Sequence, residues 1–318
     1  MLKTALGYYF IQVCVVGLVL NICVLLPLVR LALKPDKQAI HLIATFTIAN
    51  DILNLLVNVG YTAPSIITSS YIVSDRIDGP LPVLFSSTAR FTWHMTTFIM
   101  VLMATNRIAI VVFNKVDVFT KQRVLVFFAS AAVASVAKLL LDNFVLPCCV
   151  YLIDHKVLGY SAFNPNHQQN IADLIDSPVE IAIFLYTIVA YVTVFVTIRK
   201  TNSNVEQAVD SKFHQKQRAK ERAYVVQFSS VSLFAILSYI SLRAIPLLFG
   251  DNCPECNIIV PTLYTLDCCA NGCIYIFLSP EVRNELLKRM CKDNSVQSTD
   301  ANGNPIPAGL YPEQLQYI

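Results

Sequence analysis

The sequence of 318 residues is apolar and sparsely charged, with 55% hydrophobic and only 14% charged residues, whereas ordinary soluble domains carry about 25% charged residues. Its net charge is only +3, which does not indicate nucleic acid as a partner. These values exclude an ordinary soluble domain and favour an integral membrane protein.

Seven apolar stretches are each long enough to cross a bilayer, since a helix needs about 20 mostly apolar residues to span a hydrocarbon layer about 30 Å thick. They cover residues 6–33, 39–67, 85–113, 124–150, 178–198, 223–250 and 258–278. The sequence therefore predicts an all-α bundle of seven transmembrane helices, in one domain of residues 1–291. The first stretch exceeds the apolar core of a signal peptide and is predicted to be a retained helix.

Lysine and arginine residues predict the orientation of this bundle. Eighteen of the 24 lie in or beside the loops that follow the first, third, fifth and seventh stretches. Such residues are retained on the cytoplasmic side, so the N-terminus is predicted outside and the C-terminus inside. Residues 211–222, in the basic third inner loop, could extend the sixth helix into the cytosol.

A short amphipathic helix is predicted directly after the seventh stretch, where Ser279 and Pro280 end the span. Its apolar face carries Val282, Leu286, Leu287 and Met290 and is expected to lie along the inner lipid surface. Cys291 at its end is a candidate for palmitoylation, and a free thiol is the alternative. Residues 292–318 are polar and are predicted to form a disordered cytoplasmic tail.

Polar residues within the spans are costly in hydrocarbon and usually face the bundle interior. At the midplane, five of them could meet in one polar or ion site: Asn21, Asp51, Thr96, Asp267 and Asn271. Two carboxylates in one dry site repel each other, so the site requires a shared proton, a bound cation such as sodium, or bridging water.

A second polar layer lies near the outer ends of helices three to six. Lys138 and Asp142 are one turn apart and are predicted to pair with each other. The remaining residues could line a small-molecule cavity that opens outward: Arg90, Trp93, His94, Glu180, Tyr239 and Arg243. Taken alone, His94 is better interpreted as a satisfied interior histidine.

The inner ends of helices three and seven carry the last candidates. Asn106 and Arg107 end helix three, and Arg107 could reach a cleft that forms if helices three and six separate. An interfacial anchor that extends its charge to water is the alternative. Gly272 is either a close-packing point or the site of a kink through local unwinding. Its position between Asn271 and Tyr275 favours the kink.

Cys253 and Cys256 form a C-x-x-C pair in the third outer loop, which lies in an oxidising environment. The pair can close on itself, or one member can reach Cys148 or Cys149. A metal site is not predicted, because no second pair of ligands is apparent nearby.

These motifs together resemble rhodopsin-like G-protein-coupled receptors. The resemblance rests on Asn21 preceded by Gly17, Asp51 in IANDIL, Asn106 with Arg107, and NGCIY at residues 271–275. Their order, spacing and depth all match, over the whole chain from helix one to the segment after helix seven.

The chain also departs from that family. Asn106 replaces the acid before Arg107, Gly272 replaces a proline, and Tyr239 with Ser241 replaces the tryptophan-proline pattern of helix six. Helix three also lacks the outer cysteine. This divergent set is similar to nematode serpentine chemoreceptors of the Srx class, through ATNR at residues 104–107, through Lys220, Glu221 and Gln227 at the entry to helix six, and through the Asn-Gly pair near the end of helix seven.

The resemblance implies a chemosensory receptor of the plasma membrane. It would bind a small molecule or peptide outside and activate a heterotrimeric G protein inside. The coupling and switch residues would be Asn106, Arg107, Asn271, Gly272 and Tyr275. No bond is made or broken in such a protein, so no enzyme activity and no cofactor beyond a sodium ion are expected.

Three other classes fit less well. A retinal photoreceptor needs a lysine in helix seven, and residues 258–287 contain none. An intramembrane aspartyl protease could use Asp51 and Asp267, but its Gly-x-Gly-Asp signature is missing. A transporter or channel of small solutes is the main alternative, although the paired halves with broken helices that transporters usually show are not apparent.

Overall fold

The computed structural model of the chain describes residues 2–34, 39–72, 74–145, 150–163, 171–205, 212–249 and 253–295. Its membrane helices are α1 (Leu2–Leu33), α2 (Ile40–Thr68), α3 (Pro80–Val112), α4 (Lys121–Val145), α5 (Ile171–Val205), α6 (Lys212–Phe249) and α7 (Ile259–Leu278). A shorter helix α8 (Pro280–Ser295) follows, and β1 (Val150–Asp154) and β2 (Gly159–Phe163) form an antiparallel hairpin between α4 and α5.

Each predicted apolar stretch lies largely within one of these helices, which confirms the seven-helix fold. Among the described residues, six helices are long and apolar enough to cross a membrane, and α6 contains the shorter apolar segment Ser229–Ile245. Helix α6 begins at Lys212, so the predicted extension of the sixth helix beyond its apolar span is present.

The fourth helix is shorter than predicted. The prediction continued it to residue 150, whereas α4 ends at Val145 and Val150 begins β1. In the sequence, Pro147 argues against a helix that continues to residue 150, because a proline disfavours helical backbone at the residue before it. The hairpin was not predicted from the sequence.

A π-helical turn lies within α2 at Asn58–Thr62, and others form the last turns of α3 (Ile108–Val112) and α4 (Leu141–Val145). In α2 the wider turn directly precedes Pro64, whose ring would clash with the carbonyl of residue 60 in a regular α-helix. The wide turn accommodates the proline without ending the span.

Helix α3 is the centre of the bundle and packs against α2, α4, α5 and α6. The inward faces of the helices form a core of residues such as Ile48, Ile99 and Phe128. Rows of apolar side chains on α4 and α5 remain exposed, among them Val126, Val133, Ile181, Leu185 and Val192. Because lipid solvates these side chains as well as a protein core does, only the inward stripes need to be packed.

The outer hairpin is held on the bundle by hydrogen bonds. The Ile153 amide donates to Ser86 Oγ of α3 at 2.9 Å, and Tyr71 Oη donates to Asp154 Oδ1 at 3.0 Å. Burial, together with the nearby Asp154 carboxylate, raises the pKa of Tyr71, so its hydroxyl remains a donor at neutral pH. These contacts join the hairpin to α3 and to the segment between α2 and α3.

The third outer loop contains the disulfide bridge between Cys253 and Cys256, whose Cα atoms are 5.4 Å apart. The alternative partners, Cys148 and Cys149, lie outside the described residues. The backbone of this loop also contacts the hairpin, because the carbonyl oxygen of Asn257 lies 3.3 Å from the position that a Cβ of Gly159 would occupy.

Helix α8 packs against α1 and α7, and two ion pairs tie it to the end of α1 and the start of α2. Lys34 Nζ donates to Glu285 Oε1 at 2.5 Å, and His41 Nε2 lies 2.7 Å from Glu281 Oε2. The Lys34 hydrogen bond holds the pKa of Glu285 below its usual range, so this contact is present at neutral pH and is lost as the pH falls through that pKa.

On the predicted apolar face of α8, Val282 is buried while Leu287 is exposed. The helix runs four residues past the predicted boundary at 291, to Ser295. The Cys291 side chain and the tail from residue 296 onward lie outside the described set, so palmitoylation and a disordered tail stay predictions.

Glycines allow α1 and α7 to approach closely. A Cβ at Gly17 would overlap the Sγ of Cys269, and a Cβ at Gly272 would lie 3.3 Å from Asn21 Oδ1. Helix α7 continues without interruption through Gly272, so the local unwinding favoured by the sequence is not found. Gly272 serves instead as a close-packing point.

We predict that Gly17→Ala lowers the melting temperature of the purified protein, because overpacking at a tight helix contact costs about 1–3 kcal/mol. Thermal unfolding in detergent measures this. Gly60→Ala is the matched control, since nothing lies within 4 Å of a Cβ at that position. Equal melting of the two variants would show that the α1–α7 contact is not tight.

Candidate functional site

The midplane site is built by α2, α3 and α7, which turn polar residues toward one another. Asn271 Nδ2 donates to Asp51 Oδ2 at 2.8 Å. Asp51, Thr96, Asp267 and Asn271 line one small cavity together with Thr47 and the apolar residues Ile99, Met100, Met103, Val231 and Ala235. The cavity has room for about one water molecule.

Both midplane carboxyl groups are removed from solvent, with Asp51 3% and Asp267 1% exposed. Asp267 interacts electrostatically with Asp51, and its Oδ1 atom has no hydrogen-bond partner among the described residues. Two adjacent buried carboxylates cannot both stay ionised without a counter-charge, so the arrangement is suited to a shared proton or a small cation. Among the described side chains, no group of three or more His, Cys, Asp or Glu could hold a metal ion.

Asn21 was predicted to join this site but lies beside it. Its Nδ2 donates to the carbonyl oxygens of Gly17 and Cys268, each at 2.9 Å, and it does not line the cavity. Asn21 therefore ties α1 to α7. Its predicted depth in the membrane could not reveal this structural role.

Sequence reasoning missed three asparagines of α2 that surround the site. Asn50 Nδ2 donates to Thr96 Oγ1 at 2.9 Å, Asn54 Nδ2 to Cys268 Sγ at 3.5 Å, and Asn58 Nδ2 to Thr265 Oγ1 at 3.2 Å. Their spacing of four residues places them on one helix face. That spacing was the signal that could have identified them.

At the inner end of α3, Arg107 is only 1% exposed. Its Nη2 donates to Asn106 Oδ1 at 3.0 Å, and Tyr191 of α5 interacts with it electrostatically. Arg107 is therefore not an interfacial anchor that extends its charge to water, because α5 and the rest of the bundle cover its guanidinium. Tyr275 of α7 is also buried, in the core of the inner half.

The predicted outer cavity divides into two groups of residues. In the first, Trp93 Nε1 donates to Glu180 Oε1 at 2.7 Å, and Arg243 Nη2 lies 3.5 Å from Glu180 Oε2. The ring of Tyr239 lies beneath the Arg243 guanidinium, 5.6 Å away, and packs against the tilted ring of Phe184 at 4.4 Å between centroids. This group joins α3, α5 and α6 and is termed the outer aromatic group.

The second group lies between α3, α4 and α5. Lys138 and Asp142 form the predicted pair at 2.5 Å, and Lys138 also lies 3.0 Å from Asp176, which was not predicted. Arg90 Nη2 donates to Asn143 Oδ1 at 2.7 Å, and Arg90 Nη1 is 3.6 Å from Asp142. His94 interacts electrostatically with the same charges.

The six residues of the predicted outer cavity thus lie in two groups, and a ligand cavity lined by them stays a prediction. Arg90 and His94 are four residues apart and share the face of α3 toward α4. Trp93 lies about 100° from His94 around the helix and faces α5, α6 and α7. Only Trp93, Glu180, Tyr239 and Arg243 come together.

Comparisons with known proteins decide the family. A family model described as "Serpentine type 7TM GPCR chemoreceptor Srx" matches residues 11–278, from α1 to the end of α7. The chain belongs to this Srx family. The crystal structure of squid rhodopsin is similar in fold, with a TM-score of 0.71, over 97% of this chain and 93% of that chain, at 14% identity. A search of curated proteins gave no match.

In this Srx receptor, we predict that Glu180→Gln and Arg243→Met each lower the melting temperature, because each leaves one member of a largely buried ion pair without its partner. The double variant should recover part of the loss, and a double-mutant cycle should give a coupling of about 0.5 kcal/mol or more.

The exposed pair Arg76–Asp78, with Nη2 of Arg76 2.6 Å from Asp78 Oδ2, is the matched control. Its neutralisation should have little effect, since solvent-exposed pairs contribute about 0–1 kcal/mol. Additive losses at Glu180 and Arg243 would show that the two charges do not stabilise each other.

Proposed function

We propose that this chain is a chemosensory receptor that binds a small molecule or peptide at its outer face and activates a heterotrimeric G protein at its inner face. The observation that carries the proposal is a series of contacts inside the bundle, which leads from the outer aromatic group to the midplane. The ring of Trp93 lies 5.3 Å from Tyr264, and Tyr264 Oη is 3.4 Å from Thr96 Oγ1. Thr96 and the Asp51–Asn271 pair line the same cavity.

These contacts support a route by which ligand binding could alter the inner face. A ligand at the outer aromatic group would act on Trp93 of α3, and Arg107 lies on the same helix at its cytoplasmic end. A ligand shifts such an equilibrium only if it binds the active arrangement more tightly than the inactive one. Because Arg107 is buried, we assign the present arrangement to the inactive state.

We propose that the receptor lies in the plasma membrane. Its N-terminus would be outside the cell and its C-terminus in the cytosol. The lysines and arginines near the inner ends of the helices support it. So does α8, because its basic residues Arg283 and Lys288 are exposed and are suited to contact anionic lipid head groups at the inner surface.

The midplane site is proposed to hold a sodium ion or a proton in the inactive state. Asp51, Asp267 and Asn271 would supply carboxylate and amide oxygens, the ligand type that hard cations prefer in proteins. The orphan Oδ1 of Asp267 and the Oδ1 of Asn271, both buried without a hydrogen-bond partner among the described residues, fit such an occupant.

For coupling, we predict that Arg107→Ala abolishes ligand-driven nucleotide exchange on a G protein when variant and wild type are present at the same surface level. The open cleft of the variant would lack the positive charge of Arg107. Arg123→Ala is the control, since Arg123 is an exposed arginine in the first turn of α4. The agonist would come from a second-messenger screen of the expressed receptor against odorants and peptides.

A second variant probes the neutral neighbour of this arginine. Asn106→Asp should lower basal exchange, since a charge-assisted hydrogen bond to Arg107 is stronger than the one that a neutral amide accepts. For the first variant, normal signalling by Arg107→Ala would refute the role in coupling that is assigned to Arg107.

For the midplane site, we predict that sodium chloride raises the melting temperature of the receptor more than the same concentration of N-methylglucamine chloride does, and that Asp51→Asn abolishes the difference. The neutral amide cannot supply the charge that binds the cation. A proton at the site would give a pH response without a sodium response. An Asp51→Asn variant with an unchanged sodium response would exclude this site.

A further inference from the structure

The charges between α3, α4 and α5 reach the outward surface of the bundle. The side chains of Arg90 and Asp142 are mostly covered, at 13% and 6% exposed, whereas those of Lys138 and Asp176 are 26% and 25% exposed. Lys138 and Asp176 are 3.0 Å apart and join α4 to α5; they are termed the lateral ion pair. Charged side chains within a membrane usually face the bundle interior, so an outward-facing pair requires an explanation.

The lateral ion pair bridges a groove in the side of the bundle. In the described part of the chain, α4 and α5 each pack against α3 more extensively than against each other. Helix α3 therefore forms the floor of the groove, and α4 and α5 form its walls. Leu141 and Val179, each about one turn from a member of the pair, are about half exposed. Apolar surface that faces lipid thus flanks the pair.

The depth of the pair places it near the phospholipid head groups. Lys138 lies 17 residues after Lys121 in α4, or about 26 Å at the helical rise of about 1.5 Å per residue. Asp176 lies 23 residues before Arg199 in α5, or about 35 Å. If Lys121 and Arg199 mark the inner surface, the pair lies at the outer boundary of a hydrocarbon layer about 30 Å thick.

The chemistry of the pair suits a head group that contains a phosphate. An ammonium group has three N–H donors, and among the described residues Lys138 Nζ has two acceptors, Asp142 Oδ1 and Asp176 Oδ2. The third donor is available for a charge-assisted hydrogen bond to a phosphate oxygen. The partly exposed carboxylate of Asp176 lies beside it and attracts a positive group. The pair therefore offers a positive and a negative contact side by side.

Charge balance distinguishes a zwitterionic lipid from an anionic one. The positive charges of Arg90 and Lys138 are balanced by the negative charges of Asp142 and Asp176. A lipid with a net negative charge therefore gains no net attraction at this position. A zwitterionic head group, in which a phosphate is joined to an ammonium, matches both members of the lateral ion pair.

We propose that the lateral ion pair and the groove over α3 bind one zwitterionic phospholipid of the outer leaflet. Its phosphate accepts from Lys138 Nζ, its ammonium group contacts Asp176, and an acyl chain lies in the groove between α4 and α5. This site is separate from the outer aromatic group. Only its assignment to the outer leaflet rests on the proposed orientation of the receptor.

Native mass spectrometry of the full-length receptor tests the site with three lipids that carry the same two oleoyl chains. We expect phosphatidylethanolamine to bind about tenfold more tightly than diacylglycerol, which has no phosphate, since one charge-assisted hydrogen bond contributes at least that much. Phosphatidylglycerol is the anionic probe. Equal affinity of the wild type for phosphatidylethanolamine and diacylglycerol would overturn the proposal, and this comparison needs no variant.

A double variant, Lys138→Gln with Asp176→Asn, locates the site. It removes both members of the pair without changing the net charge and leaves Arg90 with Asp142. Phosphatidylethanolamine should bind it about tenfold more weakly, while diacylglycerol binding should stay unchanged because the groove is intact. Neutralisation of the exposed pair Arg76 and Asp78 in the same way is the matched control.

The phosphatidylglycerol measurement separates the two lipid classes. Binding of this lipid at other basic surfaces is common to wild type and double variant, so it cancels when the two are compared. A loss for phosphatidylglycerol as large as that for phosphatidylethanolamine would contradict the zwitterionic assignment, and an undiminished affinity for phosphatidylethanolamine would exclude the lateral ion pair. No agonist, sodium ion or G protein is involved, so a failure of the proposed function is recognised separately.

Discussion

Hydrocarbon offers a polar side chain no hydrogen-bond partner, so the polar residues of the spans must satisfy one another inside the bundle. The hydrogen bond from Asn271 to Asp51 is the central case, because it joins α7 to α2 beside the cavity. Asn50 ties the same region of α2 to Thr96 of α3, and Asn21 ties α1 to α7. The residues that hold four helices together thus also surround the carboxylate pair. Any change in the occupant of that pair must therefore act on the packing of these helices.

The outer half of the bundle contains charges that already have partners. Glu180 accepts from Trp93 and pairs with Arg243, while Lys138 lies between Asp142 and Asp176. A charged ligand could not simply fill a vacant position there. It would have to replace an existing contact, and the free energy of binding would include the loss of that contact. Such an exchange would couple ligand binding to the relative positions of α3, α5 and α6.

Non-covalent contacts cover functional residues at both ends of the bundle. At one end, the hairpin rests on hydrogen bonds to Ser86 and Tyr71. At the other end, Arg107 is held by the neutral Asn106 and covered by the bundle. Hydrogen bonds of this kind contribute about 0.5–1.5 kcal/mol each, or about 1.5–3 kcal/mol when one partner is charged. The closed arrangement therefore depends on many weak contacts, which is suited to a protein that changes between states.

Much of the midplane site could be predicted from sequence because depth in the membrane follows directly from position along a helix. Asp51, Thr96, Asp267 and Asn271 were assigned to one layer on that basis, and they do line one cavity. The outer site could not be predicted in the same way. Its composition depends on the rotation of α3 about its own axis, which separates Trp93 from Arg90 and His94.

The sequence by itself determined the number and order of the membrane helices, because hydropathy and the thickness of the hydrocarbon layer constrain each helix separately. It also determined the local pair of Lys138 and Asp142, since residues four apart on a helix are neighbours. Only the tertiary structure decided which helix faces meet, that Gly272 packs against α1, and that a hairpin covers the outer side. These features arise from contacts between segments that are far apart in the chain, so no local pattern of residues predicts them.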